Sequence, residues 1–114
     1  MADRTNYTDA MKPDWNSEGV SQGMCGNVFI TGKQWKEWEG RMAVGYDGIG
    51  IHGTATGNRI DILNISKDGL SSTREKMNWP TAAGRLRHIS QGADGALYVA
   101  DESSGNIYRV MPAN

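Results

Sequence analysis

Two arginines, Arg85 and Arg87, are the residues of this 114-residue chain whose type and spacing most directly suggest chemistry. Residues two apart on a β-strand point to the same face of a sheet, so a strand here places both guanidinium groups side by side. A guanidinium forms forked, charge-assisted hydrogen bonds to carboxylates. The pair therefore fits the binding of one polyanion. The alternative is a pair of surface arginines that form ion pairs with Asp94, Asp101 or Glu102.

Few other side chains have the types and spacings of a catalytic site. His52 lies in a glycine-rich segment and is the one candidate general base on a loop, whereas His88 is left unassigned. No Cys/His spacing is typical of a zinc site, so no metal site is predicted. Neither a Gly-x-Ser-x-Gly elbow nor a phosphate-binding loop occurs. The single cysteine, Cys25, excludes an internal disulfide and is interpreted as a small apolar filler.

The composition indicates a β-rich chain with many turns. Hydrophobic residues make up 38% and the mean hydropathy is −0.57. Fifteen glycines against three prolines favour short strands joined by tight turns. The net charge of −1, without a basic stripe, gives no support to nucleic-acid binding. Apolar runs fall far short of the roughly 20 residues of a membrane span, and the N-terminal residues lack the apolar segment of a signal peptide.

Short strands at nearly even spacing are the elements that must position these residues. The predicted strands are residues 5–11, 27–31, 41–46, 58–66, 73–79, 86–91, 96–101 and 106–111. Between the second and third, residues 33–40 are too short for a stable helix and predict one helical turn. That turn places Trp35 and Trp38 on the same side, where we expect them to pack against a sheet. The alternation around Ile60 and Ile62, which shifts register towards Ile65, predicts a half-buried strand that a turn at residues 67–69 closes.

Three segments in order resemble the C-terminal part of a known enzyme family, the aldose and sorbosone dehydrogenases that use pyrroloquinoline quinone (PQQ). The resemblance lies in residues 28–35 with 38–40, in Gly84-Arg85-Leu86-Arg87, and in the hairpin of residues 91–99. Together these segments cover about residues 20–111. The family consists of β-propellers, so the resemblance implies that this fold and this cofactor are to be expected here.

The resemblance also implies roles for particular residues. In that family the two arginines before the last hairpin lie near the quinone, which implies that Arg85 and Arg87 bind PQQ, a cofactor with several carboxylates. The family's catalytic base and calcium sites lie in earlier blades, and neither His52 nor His88 matches the position of that base. Calcium is therefore an ion that the resemblance implies for the family, and no calcium site is identified in this sequence. Family members are typically periplasmic or secreted, and the localisation of this chain stays open.

The expected fold is all-β, built from four-stranded antiparallel β-propeller blades, with about two blades in this chain. A blade has four antiparallel strands, and propellers often close when an N-terminal strand completes the last blade. The predicted strands group as one, four and three. The chain is thus one propeller segment: residues 1–18 form an N-terminal strand and linker, 19–80 the first blade, and 81–114 a C-terminal blade that the N-terminal strand completes.

Two functional hypotheses follow. In the first, the chain is a fragment or assembling unit of a PQQ-dependent sugar dehydrogenase that oxidises aldose sugars only when further blades complete it. Those blades come from a longer enzyme or from other copies, for example three chains in a six-bladed ring. Its partners are then a sugar and other blades. In the second, the chain is a non-catalytic carbohydrate-binding or scaffold module, motivated by four Trp and four Tyr whose faces stack on sugar rings.

Overall fold

The computed structural model describes residues 23–47, 59–77 and 84–113, and this part of the chain forms two antiparallel sheets. The first sheet has the order β1-β2-β3-β4 and the second the order β5-β6-β7. The strands are β1 Met24–Phe29, β2 Met42–Tyr46, β3 Ile60–Ile65, β4 Ser72–Lys76, β5 Leu86–Gln91, β6 Leu97–Asp101 and β7 Asn106–Val110. The all-β prediction is confirmed, and the sheets stand next to each other as propeller blades do.

Aspartates and glycines shape the tight turns between strands. In the β3–β4 turn the Asp68 carboxylate accepts hydrogen bonds from the Leu70 amide at 3.0 Å and the Ser66 hydroxyl at 2.6 Å. Such side-chain capping is the reason aspartate favours turns. Gly69 follows with a φ of 70°, a conformation that favours glycine. The predicted hairpin turn at residues 67–69 is therefore confirmed.

Some predicted segments cannot be followed in the structure. The predicted N-terminal strand, residues 5–11, lies outside the described residues, as does His52 with most of the glycine-rich segment. The fourth strand of the second blade therefore stays a prediction. The boundaries of the blades at residues 18 and 80 stay predictions as well.

A short 3₁₀ helix, Lys33–Trp38, connects β1 to β2. It consists of two turns that meet at Lys36, whose φ is 54°. The rings of Trp35 and Trp38 stack with their centroids 6.4 Å apart, and Trp35 is buried. The prediction of two tryptophans packed on one side is confirmed, whereas the prediction of one helical turn is wrong, because the non-helical Lys36 divides the segment into two turns. No helix in the described part of the chain is both long and apolar enough to cross a membrane.

The main core lies between the two sheets. Its larger members are Ile30, Trp35, Ile60, Ile62, Met77, Leu86, Ile89, Leu97 and Val99. Two glycines allow the sheets to approach closely. A Cβ atom on Gly26 would lie 2.8 Å from the Ile89 amide nitrogen, and one on Gly45 would lie 2.5 Å from the Leu86 carbonyl oxygen. Any side chain at these two positions would have to push β1 and β2 away from β5.

Gln91 links the two sheets through its side-chain amide. Its Oε1 accepts hydrogen bonds from the amide and the hydroxyl of Thr31, each at 2.9 Å. Its Nε2 donates to the carbonyl oxygens of Thr31 and Gly95 at 2.8 and 2.9 Å. The Trp35 indole nitrogen donates to the same Gly95 carbonyl at 2.8 Å. The Gln91 side chain thus hydrogen-bonds to both the amide and the carbonyl of Thr31, as the backbone of a paired strand would.

The prediction of a half-buried β3 is wrong at its first four residues, 60–63, which are all buried. Ile60 and Ile62 belong to the core between the sheets, whereas Leu63 packs in a second apolar cluster on the opposite face. The pairing with β4 runs without interruption. The predicted shift of the apolar alternation towards Ile65 is a change of face, because Leu63 and Ile65 both pack in the second cluster. The physical reason is that β3 lies inside its sheet with both faces covered, which alternation along one strand does not reveal.

Candidate anion-binding site

Arg85 and Arg87 lie where the chain enters the second sheet. Arg85 directly precedes β5, and one extra residue, Arg87, lies between Leu86, which is paired with Asp101, and His88. Such a bulge bends a strand and redirects its side chains. The Arg85 carbonyl oxygen accepts hydrogen bonds from the Arg87 amide at 3.0 Å and from the Glu102 amide at 2.9 Å. The backbone therefore holds the two arginines close together.

Both guanidinium groups contact the same two carboxylates. Arg85 donates to Asp47 through Nη2 at 2.9 Å and through Nε at 3.4 Å. Arg87 donates through Nη1 to both oxygens of Glu102 at 3.2 Å. Longer ionic contacts join Arg85 to Glu102 at 3.5 Å and Arg87 to Asp47 at 3.9 Å. These four side chains form one cluster of alternating charge, here called the arginine cluster, and its guanidinium groups lie side by side as the spacing predicts.

Only one of the three acids that the sequence suggested as ion-pair partners of the arginines pairs with them through its side chain. Of the three acids considered, Glu102 forms side-chain ion pairs with them, whereas Asp94 pairs with Arg109 at 3.0 Å. Asp47 was missed. It lies 38 residues before Arg85, and its negative charge is the only signal in the sequence that pointed to it.

Asp101 holds the backbone beside the arginine cluster through hydrogen bonds and is not itself a member of the cluster. Its Oδ1 accepts hydrogen bonds from the amides of Arg85 and Ser103 at 3.1 and 3.0 Å, and its Oδ2 accepts one from the Ser104 hydroxyl at 2.9 Å. Burial acts to raise the pKa of Asp101, but the hydrogen bonds from Ser104 and from backbone amides outweigh it, so the pKa is lowered. The buried carboxylate therefore ties the backbone of Arg85 to the β6–β7 turn.

The two acids of the arginine cluster have different surroundings. The Asp47 side chain is 19% exposed and the Glu102 side chain 48%, while those of Arg85 and Arg87 are 47% and 50% exposed. The hydrogen bond from Arg85 is the main reason why the pKa of Asp47 is lowered. Asp47 is thus an ionised, partly enclosed partner, and Glu102 is an ion-pair partner at the solvent boundary.

Cys25 lies beside the arginine cluster. Its thiol donates to the Gly23 carbonyl oxygen at 3.3 Å. Burial raises the pKa of this thiol, and the negative charge of Asp47 raises it further. A protonated thiol is a poor nucleophile and a poor metal ligand. The structure is therefore in keeping with the interpretation of Cys25 as a small filler.

A second group of arginines and a carboxylate lies in the first sheet, where Asp61 and Arg59 are buried and Arg74 is exposed. Arg59 donates to Asp61 through Nε at 2.8 Å and through Nη2 at 3.0 Å, and Arg74 lies 3.6 Å from the same carboxylate. The Arg59 guanidinium lies over the Tyr46 ring, 5.0 Å from its centroid. Burial, followed by the charge of Asp61, raises the pKa of Tyr46. These four residues are called the Asp61 cluster. Sequence reasoning missed it, although Arg59 and Asp61 have the spacing of residues on one strand face.

The described residues contain no group of three His, Cys, Asp or Glu side chains that could hold a metal ion. His88 is exposed on β5, opposite Ala100, and no residue in the described part of the chain is assigned as a general base. What the arginine cluster can do chemically is bind carboxylates, because each guanidinium already holds one from the protein.

Comparison with known proteins adds an independent finding. The sequence model of the family described as Glucose / Sorbosone dehydrogenase matches residues 1–109, nearly the whole chain. No curated protein and no solved structure matches the chain significantly. The family match agrees with the resemblance carried by residues 28–40 and 84–99 and with the two neighbouring antiparallel sheets.

Proposed function

The chain belongs to the glucose/sorbosone dehydrogenase family, and from this premise we propose that it is a two-blade unit of a PQQ-dependent sugar dehydrogenase. In this proposal Arg85 and Arg87 bind the carboxylates of the quinone. The unit oxidises aldose sugars only when further blades complete it. The observation that carries the proposal is the side-by-side placement of the two guanidinium groups, each already engaged with a carboxylate.

The donor set of the arginine cluster suits this cofactor. Each guanidinium group already binds a carboxylate of the protein and has further N–H donors, so the two groups can together serve more than one carboxylate. When bound, an ortho-quinone supplies the electron acceptor for the oxidation of a sugar hydroxyl. In this proposal the role of the chain is to bind and orient the quinone, and Asp101 fixes the backbone of Arg85.

The surfaces of the two sheets support a need for further blades. Phe29 on the first sheet and Ile107 on the second are large apolar side chains that remain exposed. Within the described residues, β7 pairs with β6 alone, so its other edge is open to a fourth strand. Open strand edges call for a partner. That partner is the predicted strand at residues 5–11, a neighbouring copy, or a longer chain.

Light scattering separates the versions of this proposal. Assembly of two-blade units into a closed ring of three copies predicts three times the mass of a single 12.4 kDa chain. A monomer at micromolar concentration contradicts the ring and leaves the version in which the blades belong to one longer enzyme.

An absorbance titration with PQQ tests the binding role of the arginines. We expect saturable binding by the wild-type chain, weakened at least about tenfold by Arg85→Ala or Arg87→Ala, because each loses a charge-assisted hydrogen bond. Arg109→Ala is the matched control, since this exposed arginine pairs with Asp94 away from the arginine cluster. Absence of PQQ binding, or equal weakening by Arg109→Ala, would contradict the proposal.

Titrations of the same protein also test the carbohydrate-binding alternative. Two of its motivating aromatics, Trp35 and Trp38, are engaged in packing and stacking. A calorimetric titration with glucose that shows binding, in a chain that does not bind PQQ, would favour the alternative. Binding of PQQ that depends on the arginines favours the dehydrogenase lineage.

A further inference from the structure

The two ion pairs of the arginine cluster are built differently. Arg85 uses two nitrogens on the two oxygens of Asp47, and its backbone amide is held by Asp101 and by the Ser103 hydroxyl. Asp47 is also tied to the first sheet, because its amide donates to the Gly23 carbonyl oxygen at 2.8 Å. Both partners are thus anchored at their backbones as well as at their side chains.

Arg87 is held more loosely. Only Nη1 donates to Glu102, at 3.2 Å to each oxygen, and the Arg87 Nε is 3.9 Å from Asp47, beyond hydrogen-bonding distance. Among the described residues, Nε and Nη2 of Arg87 therefore have no hydrogen-bond acceptor. Half of the Arg87 side chain and nearly half of the Glu102 side chain are exposed to solvent. An exposed pair of flexible side chains contributes little, because water and salt screen the attraction.

We propose that Glu102 is an exchangeable counter-ion of Arg87, which a ligand carboxylate displaces, whereas Asp47 is a permanent positioning residue that orients Arg85. This inference rests on the proposed function for its ligand, a quinone with several carboxylates, and goes beyond it by assigning opposite roles to the two acids. Glu102 competes with the ligand and so sets its affinity. Asp47 stays in place and presents the remaining donors of Arg85 beside Arg87.

The exchange follows from charge and geometry. A planar ligand carboxylate can take two nitrogens of the Arg87 fork, whereas Glu102 uses only Nη1. The Glu102 amide is bonded to the Arg85 carbonyl oxygen, so the backbone stays in place when the side chain turns towards solvent. Displacement therefore costs the two weak, exposed ion pairs that Glu102 forms with Arg87 and Arg85, and it gains a forked one.

Glu102→Gln tests the competition, because the substitution keeps the shape of the side chain and removes its charge. We expect PQQ to bind about threefold to fivefold more tightly in the absorbance titration, without sugar present. In the Arg87→Ala background the same substitution should have a smaller effect, because only the longer contact of Glu102 with Arg85 remains. Asp94→Asn, which removes an equal charge beside Arg109, is the control and should leave PQQ affinity unchanged. Thermal unfolding checks that both variants remain folded.

Citrate serves as a second probe that carries carboxylates without a quinone. Tighter binding of citrate by Glu102→Gln, in a chain that does not bind PQQ, supports the exchange and overturns the proposed cofactor. Binding of PQQ that is lost with Arg87→Ala but unchanged or weakened by Glu102→Gln overturns the exchange and leaves the proposed function intact. A wild-type chain that binds neither probe overturns both.

Discussion

The arginine cluster and the Asp61 cluster each combine two arginines with an aspartate, and neighbouring residues, Tyr46 and Asp47, belong to one cluster each. They differ in exposure. The Asp61 side chain is fully buried beneath Arg59, whereas every charged side chain of the arginine cluster reaches solvent. An ion pair that is enclosed cannot exchange its partner without a large cost, while an exposed pair can. Burial therefore distinguishes the enclosed Arg59–Asp61 pair from the exposed Arg87–Glu102 pair, and the Arg85–Asp47 pair, with Asp47 only 19% exposed, lies between them.

The same chemical change in the two clusters gives the largest contrast. Asp61→Asn leaves the Arg59 guanidinium buried without its counter-charge, and we expect the free energy of unfolding to fall by about 3–5 kcal/mol. Glu102→Gln alters an exposed pair and should leave the melting temperature unchanged within error. Chemical and thermal unfolding of the two variants provide the measurement. Equal losses would show that exposure does not separate the roles of the two clusters.

A neutral contact between the sheets provides the next test. Gln91→Ala removes four hydrogen bonds to Thr31 and Gly95, and we expect a loss of about 1–3 kcal/mol in the free energy of unfolding. The loss should be the same at low and high salt, because no charge is involved. Gln91→Glu keeps the acceptor and loses the donor, so part of the loss should remain. A strong salt dependence would mean that ionic contacts join the sheets instead.

The smallest expected effect is on the decline of the melting temperature at acid pH. Because Arg85 donates to Asp47, the pKa of this carboxyl in the folded chain is below its ordinary value of 3.8. A lowered pKa adds to the free energy of unfolding above about pH 4, and that contribution is lost as the pH falls through the pKa of the folded state. Asp47→Asn should therefore lower the melting temperature near neutral pH and flatten its decline in acid.

The matched background for this measurement is Arg85→Ala, in which the hydrogen bond that lowers the pKa of Asp47 is already gone. There, Asp47→Asn should change the profile much less. Parallel profiles for wild type and Asp47→Asn would show that the Asp47–Arg85 pair does not stabilise the fold. The permanence assigned to that pair would then be wrong.

The elements that the sequence predicts well are those with local causes. Turn residues such as Asp68 and Gly69 act on their own backbone, so a short stretch of sequence is sufficient to predict their turn. The spacing of Trp35 and Trp38 correctly predicts that their rings lie together, but the chain between them is not a regular helix. The placement of Arg85 and Arg87 side by side is likewise predicted, but it is reached through a bulge and not through the alternation of a regular strand.

Contacts between distant segments were not predictable in the same way. Asp47 reaches Arg85 only because the end of β2 and the start of β5 come together, and a single sequence contains no record of that contact. The burial of β3 on both faces likewise depends on layers that its own alternation does not describe. Asp61 is different, because its spacing from Arg59 is visible in the sequence and predicts that the two side chains share a strand face, although isoleucines flank Asp61 on both sides.

The two glycines at the junction of the sheets, Gly26 and Gly45, have a geometric consequence for assembly. The number of blades that fit around an axis depends on the angle between neighbouring blades. Because the backbone of β5 lies where a Cβ would stand on either glycine, this angle is set by the main chain itself. An alanine at either position would act as a wedge, widening the sector that the pair of blades occupies and changing the circumference at which a ring can close.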